Sequence, residues 1–242
     1  MELDVLSKLI VVLCCISMSS CIPTSYYQLI NTKPASDGLR KTEKAIVYED
    51  TNCTINYNLW SNGGTTQVVF ENKTDEDIYV DLESTVYFIN NQAFDLHTGK
   101  LNNKCVIPAK MHMAIGETDV TILDHIFRDC NLILMPSKRK INSISFSQNN
   151  TPYSFGLRIV YYVGNSEIPN KVKNEFYIDR ITNYPYQSFI EYYTDENTCP
   201  DEKTKLSPRR KEKYKFKDVD AFYIEYNPKA VWANPEGYNS KH

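Results

Sequence analysis

The chain has 242 residues, and its 27 Lys and Arg against 30 Asp and Glu give a formal charge of −3 at pH 7. That balance lacks the strongly basic face a nucleic-acid partner demands, so none is expected. A mean hydropathy of −0.45 and 24% charged residues go with a chain that has no long apolar run after the N-terminus, which excludes a membrane protein built of several spanning helices.

Met1–Lys8 forms a short head with one lysine, and Leu9–Ile16 is an unbroken apolar run, far shorter than the roughly 20 residues of a spanning helix. Small residues follow at Ser17, Ser19 and Ser20, the order of a signal segment over residues 1–20. Met18, Ser19 and Ser20 ahead of Cys21 resemble the bacterial lipobox, which makes Cys21 the expected lipidation site and first residue of the mature chain. The competing reading is ordinary secretory cleavage near Ser20, with Cys21 left as a spare or disulfide-bonded thiol. A zinc site is disfavoured, because no second Cys or His pair follows at zinc-knuckle spacing. Acyl chains on Cys21 would stabilise membrane attachment by about 0.8 kcal/mol per buried methylene.

Residues 21–44 read as a lipidated tether with a first extended piece around Tyr26–Ile30, and folding proper is expected to begin near Ala45. Cys53, Cys105, Cys130 and Cys199 remain in the mature body, in an oxidising compartment. Two disulfides would then have three connectivities, with Cys105–Cys130 favoured because it closes the shortest loop.

The 18 Tyr and 10 Phe suit pleated, half-buried surfaces. "TINYNLW" alternates, Ser61–Gly64 ("SNGG") offers residues that tolerate positive φ, and "TTQVVFEN" continues as a second strand, which predicts a hairpin. "NKTDED" breaks the pattern with short polar side chains. "IYVDLESTVYFINN" predicts two strands joined near Glu83–Thr85, with Ile78, Val80 and Leu82 on the dry face. Further on, Pro108 is expected at a bend and Gly116 in a turn. A short helix competes with strand over Leu123–Leu134, where Ile122, Ile126 and Cys130 recur at fours. After a basic turn at Ser137–Lys140, "INSISFSQ", "SFGLRIVYYVG" and "VKNEFYIDRITNYP" predict three more strands. Many short strands without alternating helices point to a mainly β, antiparallel sandwich with few short helices.

Asn58–Asp95 ("NLWSNGGTTQVVFENKTDEDIYVDLESTVYFINNQAFD") and Val106–Met111 ("VIPAKM") resemble uncharacterised lipoproteins of Bacteroidota whose mature part looks immunoglobulin-like. The resemblance implies that fold for residues 45–183, carries no catalytic residue across, and ends at Asn183. Such proteins are often surface-displayed when acids follow the lipidated cysteine. "IPTSYYQ" has none, so the resemblance implies an outer-membrane lipoprotein facing the periplasm, with surface display as the alternative.

The chemistry-bearing residues are sparse. Asp95 and His97 share a strand face but lack the third ligand of a catalytic zinc, so no metal is expected. His125 and Cys130 are five apart, on different faces of a helix or a strand, which is unsuited to a nucleophile–base pair. No nucleophile elbow, phosphate loop or dinucleotide fingerprint is present in a chain with eight glycines, and no cofactor is expected.

Residues 184–242 read as an aromatic and charged extension, expected to pack on the sandwich. Tyr184, Tyr186, Phe189, Tyr192 and Tyr193 are candidate ligand-binding rings, against the plainer reading that alternate rings complete the core. The basic stretch Lys203–Lys217 reads as a solvated linker rather than a patch for anionic lipid, and "DAFYIEYNP" as a last strand. The expectation is a non-enzymatic, lipid-anchored envelope module that binds or assembles with an envelope protein or glycan. The alternative is a structural subunit of a fimbria-like surface assembly.

Overall fold

The computed structural model describes residues 25–95, 104–117, 134, 139–194 and 210–226. Contacts divide the chain into Tyr26–Glu225 and a second unit made of Met1–Ser25 and Tyr226–His242, of which only Ser25 and Tyr226 are described.

Alternation builds the smaller sheet. In β4 (Cys53–Asn58), Cys53, Ile55 and Tyr57 are buried and the residues between them half-buried. β5 (Gln67–Asn72) repeats the pattern with Val68, Phe70 and Asn72, the period of two that a strand with one dry face requires. β4 pairs antiparallel with β5 and with β3 (Ile46–Glu49), while β2 (Leu39–Lys41) and β10 (His112–Glu117) form the edges. Gly116 lies inside β10, at a register irregularity between Ala114 and Glu117, and not in a turn. An irregular ladder suits glycine as a turn does, and the sequence does not separate the two.

The larger sheet curls into a half-barrel. Its nine strands occupy six lanes, because three lanes hold two strands end to end. The order is β16 (Ala221–Tyr226), β1 (Tyr26–Pro34) and β13 (Asn170–Pro185), then β12 (Ser154–Val163) continued by β11 (Asn142–Ser145). Next come β6 (Ile78–Asp81) beside β7 (Val86–Ile89), and then β9 (Lys104–Ile107) beside β8 (Gln92–Asp95). The 16-residue β13 serves both halves, meeting β12 and β11 on one side and β1 on the other. Thr32 faces Ile178 and Asn31 faces Arg180, so Asp179 is the extra residue of a bulge that keeps Ile178 and Ile181 both buried.

The sheets pack face to face through aromatic rings. Tyr57 meets Phe176 at 5.4 Å between centroids, and Phe70 meets Tyr161 at 5.3 Å. At one rim, Pro108–Met111 carries the chain from β9, an edge of the large sheet, to β10, an edge of the small one. The buried Asn72 amide fastens this crossing by donating to the carbonyls of Glu76, Ile107 and Pro108. Pro108 thus sits at the expected bend.

Three expectations change. The β4–β5 hairpin exists, but "SNGG" belongs to an excursion over residues 59–66 that runs along β16, where Gly63 N–H donates to the Tyr223 carbonyl and Tyr223 N–H to that of Ser61. Gly63 and Gly64, at φ 92° and 85°, supply the conformation that this detour needs. Residues 26–34 are not a tether: β1 lies between β13 and β16, with Leu29 and Ile30 buried, so the folded body starts at Tyr26 and not near Ala45. The basic stretch is not all linker, since β15 (Arg210–Tyr214) pairs antiparallel with β14 (Ile190–Thr194). The possible helix at Leu123–Leu134 lies, but for Leu134, outside the described residues.

Candidate functional site

Both faces of β1 are covered, and the outer one carries the candidate site. Gln28, Ile30 and Thr32 point into the sandwich, while Tyr27 and Leu29 point outward beside Tyr184 and Thr182 of β13. At Pro185, which cannot donate to a ladder, the chain leaves β13 for the single turn α1 (Tyr186–Phe189). This turn folds Phe189 over Tyr27, stacked at 4.5 Å and 18° and fully buried.

More rings gather from distant segments. Trp60, in the excursion after β4, packs on Tyr223 at 5.1 Å and on Tyr214 at 5.5 Å. Tyr223 donates to the Tyr214 hydroxyl at 3.0 Å. Tyr27, Leu29, Phe189, Ile190 and Ala221 form the buried centre of this second, outer core. Burial, aided by nearby carboxylates and phenols, raises the Tyr27 hydroxyl well above the ordinary tyrosine range.

The cluster opens to solvent along β14. The Tyr186 hydroxyl donates to Glu212 Oε1 at 2.6 Å and lies 2.9 Å from the Tyr192 hydroxyl. Its one proton is engaged by Glu212, so Tyr192 is the donor to Tyr186. The bond to Glu212 is the main reason that the Tyr186 hydroxyl is held far above its usual range. Tyr192 is 51% exposed and Tyr193 45%. Successive strand residues face opposite ways, so these two rings serve opposite faces of the β14–β15 hairpin. Phe216, 37% exposed, stacks on Tyr184 at 4.4 Å.

The five aromatic candidates therefore divide. Phe189 is core, Tyr184 and Tyr186 are half-buried supports, and Tyr192 and Tyr193 are surface rings. Sequence reasoning missed Tyr27, Trp60, Tyr214, Phe216 and Tyr223. The available signal was the aromatic interleaving in "KYKF" and "AFYIEY".

Cys53 and Cys105 carry free thiols, so neither is in the disulfides considered above. Cys53 is fully buried, with Sγ 3.7 Å from the Tyr161 hydroxyl. Cys21, Cys130 and Cys199 lie outside the described residues, as do His97, His125 and His242. Asp95 ends β8, and His112 is exposed on β10. Among the described residues, no group of three or more His, Cys, Asp or Glu is placed to hold a metal ion.

Comparisons with protein-family models, with curated proteins and with solved structures give no match to this chain.

Proposed function

We propose that the chain is a lipid-anchored cell-envelope protein, acting without catalysis as a binding or assembly module for an envelope protein or glycan. The observation that carries this reading is the aromatic platform: Tyr192 and Phe216 present exposed rings held from behind by Tyr186 and Tyr184 on a buried aromatic base. Rings fixed in advance lose little freedom on binding, so more of their contact energy appears as affinity.

The start of the folded body supports the anchor. β1 begins at Tyr26, and the chain from Cys21 to that strand spans at most about 17 Å. A lipid on Cys21 would therefore hold the body against the membrane, in our reading the outer membrane on its periplasmic side. The immunoglobulin-like assignment is kept as the finer form of the two-sheet antiparallel body, supported by its face-to-face aromatic core.

The test measures binding of the purified mature protein to immobilised envelope polysaccharides and to solubilised envelope proteins, beside a Tyr192→Ala/Phe216→Ala double variant. Wild type is expected to bind one class, with the double variant weakened about 30-fold, as for a central hot spot. Equal binding by the two proteins overturns the platform. Concentration-dependent self-assembly of the wild type would favour the fimbria-like subunit instead.

A further inference from the structure

The rim where the chain crosses between sheets carries chemistry that the platform does not use. Cys105 pairs with the fully buried Val80 and so faces into the sandwich from the edge of the large sheet. Met113 pairs with the fully buried Phe70 and faces inward from the edge of the small one. The two side chains meet at the mouth between the sheets, with Cys105 Sγ 3.3 Å from Met113 Sδ. Below them Ile107 and Ile115 close the core, and Met113 is 39% exposed.

Strand parity adds a third sulfur. Met111 precedes β10 by one residue, but Asn72 N–H donates to its carbonyl and so extends the ladder with β5 to it, in phase with Met113; it is 58% exposed, whereas His112 alternates to the other side. A thiolate and two thioethers form a soft donor set, matched to a soft monovalent ion and poorly matched to zinc, calcium or magnesium. A search of the sequence for His, Cys and carboxylate spacing passes over thioethers, so this set went unread there.

We propose that Cys105, Met113 and Met111 form a binding site for a soft monovalent cation, Cu(I), at the open rim of the sandwich. Cys105 and Met113 are its core pair, and Met111 swings in to complete trigonal coordination. The methionine side chains have the flexibility to open the sulfur pair around an ion. Binding releases the Cys105 thiol proton, since the thiolate is the form that ligates metal.

The test titrates the reduced, full-length protein anaerobically with Cu(I) against a chromogenic Cu(I) chelator. Met113→Leu, which keeps shape and removes sulfur, and Cys105→Ser are run in parallel, with thermal melts to verify folding. Each substitution is expected to weaken Cu(I) binding at least about tenfold, the lower bound for losing even a group behind the ligands. Ag(I) added to the wild type labelled with 13C at the methionine methyls provides the second readout. The Met113 and Met111 methyl signals are expected to shift at one equivalent. Unchanged Cu(I) affinity in Met113→Leu, or unmoved Met113 and Met111 methyls, overturns the site whatever becomes of the aromatic platform.

Discussion

The Asn174 amide of β13 donates to the Tyr57 hydroxyl of β4 at 2.7 Å, joining the two sheets across the core. Asn174 is fully buried and its Oδ1 has no partner, so the Tyr57 hydroxyl is what offsets the burial of its amide. Tyr57→Phe removes that acceptor and leaves two polar atoms of one side chain unsatisfied. A loss of about 1–3 kcal/mol follows, read as a lower urea midpoint at unchanged slope. A midpoint equal to wild type would show that the bond contributes nothing.

The aromatic platform and its base separate under mutation. Phe189→Ala empties the centre of the outer core and should cost about 3–5 kcal/mol. Tyr192→Ala removes a half-exposed ring and should stay within about 0.5 kcal/mol of wild type. Parallel thermal melts give both values. Equal losses would mean that Tyr192 is structural.

Gly156 of β12 lies opposite Glu175 of β13 in their antiparallel pairing. A Cβ there would stand 2.1 Å from the Asn174 carbonyl oxygen and 2.7 Å from Phe88 Cζ. Backbone cannot yield as a flexible side chain does, so Gly156→Ala should cost about 3 kcal/mol or more, beyond ordinary overpacking. A variant with wild-type melting temperature would contradict this close approach.

Lys41 of β2 binds Asp218 at 2.7 Å and Asp220 at 2.8 Å. Burial, the largest influence, raises the Asp220 carboxyl above its ordinary range against the pull of Lys41. Ionised Asp220 therefore costs stability at neutral pH, and that cost fades as pH falls through its raised value. Burial also works against the Lys41 charge, but the bonds to both aspartates outweigh it and raise its pKa. The lysine's contribution is thus complete at neutral pH and is lost as pH climbs through that raised value. Lys41→Met should cost about 1 kcal/mol at pH 7, as expected for a partly exposed pair. The loss should shrink below the ordinary aspartate range. A loss independent of pH would point to the lysine stem rather than its charge.

The two free thiols should differ in reactivity. Burial first, and Asp50 second, push the Cys53 thiol up to about 12, and thiolate is the nucleophile in alkylation. Cys105 is half-buried at the rim. Peptide mapping after iodoacetamide treatment at pH 8 should find Cys105 modified first, and Cys53 modified only with unfolding. Equal rates would require the core around Cys53 to open freely.

The sequence showed strands best where one face is dry and the other wet. β4, β5 and the first part of β13 alternate because the opposite sheet covers only one side. β1 was legible only as an extended piece of a tether, because Tyr27–Ile30 are buried on both faces and leave no period that marks a sheet strand. β15 was hidden for the opposite reason, since Glu212 and Lys213 are open to water and its charged sequence resembles a linker. The candidate site was half legible. "YPYQSF" announced rings, but Trp60 joins them only through folding over more than a hundred residues. The rim sulfurs sit eight residues apart, a spacing that suggests nothing until the edges of two sheets bring them together.

The placement of β1 between β13 and β16 has a kinetic consequence. Thr32 bonds to Asp220, 188 positions away, and Tyr26 pairs with Pro185. Contacts of such separation must close long loops before they return any energy, which slows folding. Strands β2–β5 pair with near neighbours and can form early. The N-terminal strand must wait until its C-terminal partners have been made. During that interval the edge of β13 and the apolar face meant for Leu29 and Ile30 lie open, and in this window the chain is most exposed to aggregation and proteolysis.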